Sequence, residues 1–116
     1  MEVYRLELES FEEGRVKLKL PVIPSFYNIQ NSVHGGIHAS ILDTTMGFTA
    51  RSIGFDKVTT LETKVHFLKG ITKGAIYSEG NVIHQNRSTA LLEAKLFNEE
   101  GDLLAHSTGT FRVVKE

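Results

Sequence analysis

One stretch of the chain concentrates the groups that can do chemistry: Asn28-Ile-Gln-Asn-Ser-Val-His34-Gly35-Gly36-Ile-His-Ala-Ser-Ile-Leu-Asp43. It is a polar, glycine-containing loop that runs into an apolar segment of helical character. The first N–H groups of a helix lack intrahelical partners and favour negative charge. His34-Gly35-Gly36 can therefore form an oxyanion site aimed at a polarised carbonyl. Removing one such donor typically costs ~2.7–4 kcal/mol of transition-state stabilisation. Further along, the carboxylate of Asp43 can attack a carbonyl or activate a water. Asn28 can position the water or the carbonyl, and His34 can add a hydrogen bond or hold the loop. Each residue also has a structural reading. Glycine frees the backbone before a helix, asparagine serves turns, and Asp43 can pair with Arg51, Arg87 or a backbone donor.

Other chemistries fit less well. His34 and His38 stand four apart, as in H-E-x-x-H, but Gly35 occupies the place of the required glutamate and no third ligand is apparent, so no metal is expected. There is no G-x-S-x-G elbow for a serine nucleophile. Gly70-Ile-Thr-Lys-Gly74 has the wrong spacing for a phosphate-cradling loop. The absence of cysteine removes disulfides, thiolate zinc sites and a cysteine nucleophile. A net charge of −1 gives no reason to expect nucleic acid or an anionic membrane as partner. The N-terminal residues lack the features of a signal peptide, and no apolar run approaches the roughly 20 residues of a membrane helix. A cytoplasmic protein is expected. Lys64, Lys69, Lys73 and Arg87 are available for phosphates, while His66, His84 and His106 fall on outward, solvated strand positions.

The elements that must position these groups follow from periodicity. The length of 116 residues and 41% hydrophobic content fit one domain, 1–116, with a real core. Residues 3–9 and 15–20 alternate as strands, with Val16, Leu18 and Leu20 inward and Phe11 to Gly14 as the turn. Residues 36–53 read as a helix apolar nearly all round and hence buried. Ile37, Ile41, Thr44 and Phe48 lie near one face, and Ala39, Leu42, Met46 and Ala50 widen it. Four strands follow. Residues 58–68 set Leu61, Val65 and Phe67 against Thr60, Glu62, Lys64 and His66. After a turn over Gly70 to Gly74, residues 75–84 carry Gly80 as a bulge or bend. Residues 88–98 turn Ala90, Leu92, Ala94 and Leu96 inward. A turn at 98–102 leads to residues 103–114, with Leu103, Ala105, Ser107, Gly109, Phe111 and Val113 inward. The small inward residues of the last two strands let a helix approach closely. The expected class is α+β: an antiparallel sheet of about six strands covered on one face by one long helix.

Gly35 and Asp43 are eight residues apart, about 12 Å along a helix axis at the standard rise. A reacting carbon must lie within roughly 3 Å of its nucleophile with its oxygen at the oxyanion donors, and an aspartate side chain is too short to span the difference. If both act, Asp43 comes from one subunit and Gly35 from another, and the site belongs to a symmetric dimer.

The chain resembles the hotdog-fold acyl-CoA thioesterases of the phenylacetate-degradation (PaaI-like) type, within the 4-hydroxybenzoyl-CoA thioesterase superfamily. The Asn28…His34-Gly35-Gly36…Asp43 spacing carries the resemblance most specifically. Val65-His-Phe67-Leu, the turn to Gly74 and Gly101-Asp-Leu-Leu-Ala-His-Ser-Thr-Gly-Thr-Phe111 support it. The resemblance implies a hotdog fold, a sheet wrapped around a central helix, forming at least a homodimer and often a homotetramer. It implies hydrolysis of an acyl-CoA without metal or cofactor. The residue matching Asp43 is then nucleophile or general base, and that matching Gly35 gives its N–H to the thioester carbonyl. Asn28 and His34 orient the groups, and Thr60 is the nearest match to a hydroxyl residue that often joins them. Gly36, Arg87 and Ser88 are the candidates for binding the substrate, Arg87 through a CoA phosphate. The alternatives are a hotdog domain that binds acyl-CoA without turnover, or a hotdog hydratase or dehydratase.

Overall fold

The computed structural model of the protein describes residues 7–21, 35–69 and 74–115. Six strands and one helix run in the order β1 (Glu7–Glu12), β2 (Arg15–Pro21), α1 (Gly35–Ser52), β3 (Lys57–Phe67), β4 (Ala75–Gln85), β5 (Thr89–Phe97) and β6 (Leu103–Val114). The strands form one sheet in the order β1-β2-β4-β5-β6-β3, with every described pairing antiparallel. The helix packs on one face of that sheet, which is the hotdog arrangement. Expectations for residues 3–6 and for most of the turn before Gly74 lie outside the described residues.

Alternation sets the inner face of the sheet. Val16, Leu18 and Leu20 of β2 and Ala90, Leu92, Ala94 and Leu96 of β5 are buried, and their intervening neighbours are more exposed. The first hairpin is tighter than expected: Phe11 and Glu12 pair with Val16 and Arg15, and Gly14 makes the turn at a φ of 80°. At 98–102 the turn is built by Asn98, whose Oδ1 accepts from the backbone N–H of Glu100 (3.0 Å) and Asp102 (2.8 Å). In β6, Leu104 rather than Leu103 is buried, because the register shifts where Phe97 pairs with Leu103.

The helix is rotated relative to its hydropathy pattern. Its buried stripe is His38, Ile41, Leu42, Thr45, Met46, Thr49 and Ala50, while Thr44 and Phe48 are only half-buried and Asp43 is exposed. Thr45 and Thr49 tolerate burial because each hydroxyl donates to the carbonyl four residues back, Ile41 O at 2.7 Å and Thr45 O at 2.8 Å. With the Thr45 proton committed, Ser78 of β4 donates to Thr45 Oγ1 across the helix–sheet contact.

Gly80 is not a bulge. It stays in register between Val16 and Ala94, and the irregularity of β4 falls between Val82 and His84. Glycine is required there by the helix, because a Cβ would overlap Thr49 Oγ1 and come within 3.0 Å of Thr45 Cγ2. Gly109 of β6 instead makes room chiefly for a side chain of its own strand, where a Cβ would meet Phe111 Cε1 at 2.7 Å, with Met46 Sδ of the helix next at 3.2 Å.

The phase of β3 is the most consequential difference. Thr60 pairs with Phe111 and Glu62 with Thr110, so Leu61 is an extra residue, a β-bulge. Val65 and Phe67 pair with Ser107 and Ala105 on the inner face, as expected, but the extra residue reverses the alternation behind them. Thr60 therefore shares the helix-facing side with Phe111, and Leu61 is left 52% exposed. On the opposite face, His66 stacks on His106 with ring centroids 6.4 Å apart. His106 is half-buried rather than solvated, its Nε2 2.9 Å from Glu93 Oε2.

Candidate active site

Asp43 lies on the outward side of α1, not among the apolar neighbours that its place in the sequence suggests. It borders a shallow depression of about 200 Å³ with Thr44, Gly47, Phe48 and Arg51. The hydroxyl of Thr60 donates to Asp43 Oδ1 at 3.1 Å, joining helix and edge strand across 17 residues of sequence. This bond fixes one carboxylate oxygen, and among the described residues Oδ2 has no hydrogen-bond partner. Neither Arg51 nor Arg87 forms an ion pair with Asp43 among the described residues. The expectation of an ion pair with Arg51 or Arg87 is thereby set aside.

Gly35 and Gly36 are the first two residues of α1, so their N–H groups belong to the unpaired set at its start. The helix runs unbroken from Gly35 through Asp43, which puts the two about 12 Å apart along the axis. The structure therefore does not bring Gly35 and Asp43 of one chain together. Asn28 and His34 lie outside the described residues. Among the described residues, no group of three or more His, Asp or Glu is arranged to hold a metal ion.

Arg87 and Ser88 sit exposed in the turn between β4 and β5. Asn86 builds that turn by accepting at Oδ1 from Ser88 N (3.1 Å), Thr89 N (2.9 Å) and Thr89 Oγ1 (2.9 Å). The cross-strand register puts Thr60, Phe111 and Ala90 in one row. The turn thus lies at the Thr60 end of the sheet, two strand spacings or about 10 Å to the side. It opens on a cavity of about 770 Å³ whose other wall includes Val113 and Lys115. Lys115 was not singled out in the sequence. It is brought opposite Arg87 only by the pairing of β5 with β6, and its Nζ rests 5.1 Å from the centre of the Phe55 ring. No linear signal links two residues so far apart in the chain.

The described residues thus include a hydroxyl-anchored carboxylate, a helix start without intrahelical partners for its first N–H groups, and a cavity bordered by Arg87 and Lys115. Residues 30–105 match the family model of the thioesterase superfamily. The chain belongs to this superfamily. A 1,4-dihydroxy-2-naphthoyl-CoA hydrolase of Listeria monocytogenes is 26% identical over 117 residues, covering 99% of this chain and 95% of that protein. A hypothetical thioesterase of Streptococcus pneumoniae, whose structure contains coenzyme A, superposes with a TM-score of 0.92 at 26% identity, covering 97% of this chain and 88% of that one. The PaaI protein of the E. coli phenylacetic acid degradation operon superposes with a TM-score of 0.89, covering 94% and 79% of the two chains. At 22% identity that likeness concerns the fold, and PaaI is one neighbour among many. Among the described residues no helix is long and apolar enough to cross a membrane.

Proposed function

We propose that the protein hydrolyses an acyl-CoA: thioester and water give a carboxylic acid and CoA. The observation that carries this reading is the Thr60–Asp43 hydrogen bond at 3.1 Å in a thioesterase-superfamily chain. Asp43 is the nucleophile or the general base, with Thr60 holding its carboxylate in one orientation. The N–H of Gly35, from the other subunit, polarises the thioester carbonyl, and Asn28 and His34 orient the reacting groups. Arg87 and Ser88 receive the phosphates of CoA.

The shared site needs a homodimer, and the β3 edge of the sheet, unpaired among the described residues, supports one. β3 is an 11-residue edge strand. Near it Leu61, Phe67 and Leu68 are more than half exposed, an arrangement that natural edge strands avoid unless covered. One end of β3 carries Thr60 beside Asp43. The other carries Phe67, stacked on His38 in the first turn of α1. Antiparallel pairing of two β3 strands about a two-fold axis sets the Thr60 end of one against the Phe67 end of the other. Asp43 of one chain then approaches the helix start that carries the partner subunit's Gly35.

The test is thiol release from a panel of acyl-CoAs by the wild type and Asp43→Asn, with folding checked by circular dichroism. Loss of a positioned acid–base group lowers rates ~10²–10⁴-fold, so Asp43→Asn is expected to fall by at least about 100-fold. Asp43→Asn within a few-fold of wild type, or binding of the whole panel without turnover, overturns the proposal.

A further inference from the structure

Among the described glycines, Gly47 is the one that the fold of a single chain does not use. It stands inside α1, where glycine destabilises a helix relative to alanine. Its φ is not positive, so it makes no turn that other residues avoid. A Cβ built on it meets no described atom within 4 Å, whereas one on Gly80 or Gly109 collides with a neighbour. Alanine would serve the isolated chain better. A glycine that weakens its own helix and fronts open space fits a place where something outside the chain comes close to the backbone.

Its neighbours indicate what that is. Asp43, Gly47 and Arg51 follow one another at four-residue spacing along the outward side of α1, and all three border the depression walled by Thr44 and half-buried Phe48. Arg51 is exposed and has no hydrogen-bond or ion-pair partner among the described residues. It stands about 12 Å from Asp43 along the axis. The stripe thus has a negative end, a bare centre and a positive end. Turned end for end about Gly47, it is complementary to itself.

We infer that this face of α1 is a self-association surface on which a second copy of the chain lays its own α1 antiparallel, the two crossing at Gly47. A two-fold axis at Gly47 puts Arg51 of the partner subunit opposite Asp43, and the reverse contact follows by symmetry. Glycine at the crossing lets the axes approach to the short end of the usual ~8–10 Å. This contact differs from the β3 pairing proposed above, which sets Asp43 against a helix start and not against an arginine two turns further along. Two different two-fold axes generate a tetramer. An opposite charge beside a carboxylate favours its ionised form, so the arriving guanidinium keeps Asp43 charged at the proposed site. That consequence rests on the hydrolase reading, whereas the assembly does not.

The test reads mass in solution by light scattering at fixed protein concentration, with folding checked by circular dichroism. Gly47→Leu projects into space that is open in the isolated chain and improves helix propensity, so it folds, and its mass is expected to be half that of the wild type. Arg51→Glu sets like charges opposite each other and also halves the mass. Adding Asp43→Lys to Arg51→Glu reverses both charges and restores the wild-type mass. A monomeric wild type, or a Gly47→Leu protein of wild-type mass, overturns the inference. If that unchanged mass comes with a raised KM for acyl-CoA, the groove belongs to the substrate and not to a second copy. A double reversal that stays at half mass overturns the pairing of Arg51 with Asp43. Mass does not depend on turnover, so a wild type that assembles in this way but hydrolyses no acyl-CoA overturns the proposed function and leaves the interface standing.

Discussion

Gly80→Ala places a methyl group where α1 meets the sheet, and the consequences follow from three contacts. The new Cβ overlaps Thr49 Oγ1, lies 3.0 Å from Thr45 Cγ2 and lies 3.2 Å from the backbone oxygen of Thr45. Thr49 can rotate away only by giving up its bond to Thr45 O, a loss of ~1 kcal/mol. The backbone oxygen cannot rotate, so the helix itself must back off by a few tenths of an ångström. Overpacking of this kind costs ~1–3 kcal/mol, and the two effects together amount to about 2–4 kcal/mol. At an m-value of ~1–3 kcal/mol/M the urea midpoint falls by roughly 1–2 M, measured at fixed protein concentration because the proposed dimer would contribute to stability. Activity falls as well, because the displaced helix carries both Gly35 and Asp43, and a misplacement of ~1 Å can cost ~10²-fold in rate. Thr49→Ala in the same chain removes the overlapping oxygen and recovers part of the loss, with a coupling of roughly 1 kcal/mol. A Gly80→Ala protein as stable as wild type within about 0.5 kcal/mol, or strict additivity with Thr49→Ala, refutes the packing argument.

Other outcomes follow from the site. Thr60→Val is expected to lower kcat about tenfold and to leave KM within a few-fold, because it frees the Asp43 carboxylate without touching the substrate. Thr60→Ser keeps the donor and most of the rate, and unchanged kinetics in Thr60→Val remove Thr60 from the site. Arg87→Ala, alone and with Lys115→Ala, raises KM for acyl-CoA and flattens its salt dependence but spares an acyl-pantetheine lacking the nucleotide phosphates. An equal effect on both substrates counts against a phosphate role. Burial lowers the pKa of His38 in the folded protein, while an unfolded histidine takes up its proton near 6.5. Below that pH the unfolded state binds more protons, so this contribution to stability is lost as pH falls. The melting temperature of the wild type should therefore drop relative to that of His38→Phe between pH 7.5 and pH 5. A constant difference across that range contradicts the assignment.

The parts of the fold that were legible in sequence are those where one residue decides the face of its neighbours. Val16, Leu18 and Leu20, and likewise Ala90 to Leu96, alternate without interruption and are buried as expected. Asn98 and Gly101 mark their turn by side-chain chemistry and a φ of 88°. The missed features depend on partners remote in the chain. The rotation of α1 could not be read from a segment apolar nearly all round. It is settled by Thr45 and Thr49 lying against Gly80, which a larger residue would forbid. The bulge at Leu61 leaves no mark in the composition of β3, yet it alone moves Thr60 from the outer face to Asp43. Alternation counted back from Phe67 pointed away from that contact, and the family resemblance pointed toward it. Asp43 suggested burial because its sequence neighbours are apolar, but those neighbours point around the helix rather than toward it. The separation of Gly35 from Asp43 was legible at once, since it needs only a continuous helix between them.

Under the proposed mechanism that separation makes the dimer the unit of function, and complementation between two inactive chains tests it most directly. Asp43→Asn and Gly35→Pro, each about as inactive as the other, are co-expressed with different tags and the mixed dimer is purified. Proline is well tolerated in the first turn of a helix and removes only the N–H. In a mixed dimer with a shared site, one site unites the intact Asp43 with the intact Gly35 and the other unites the two defects. The expected kcat per dimer is about half that of the wild type, from one good site of two. A mixed dimer as inactive as its two parents contradicts the account.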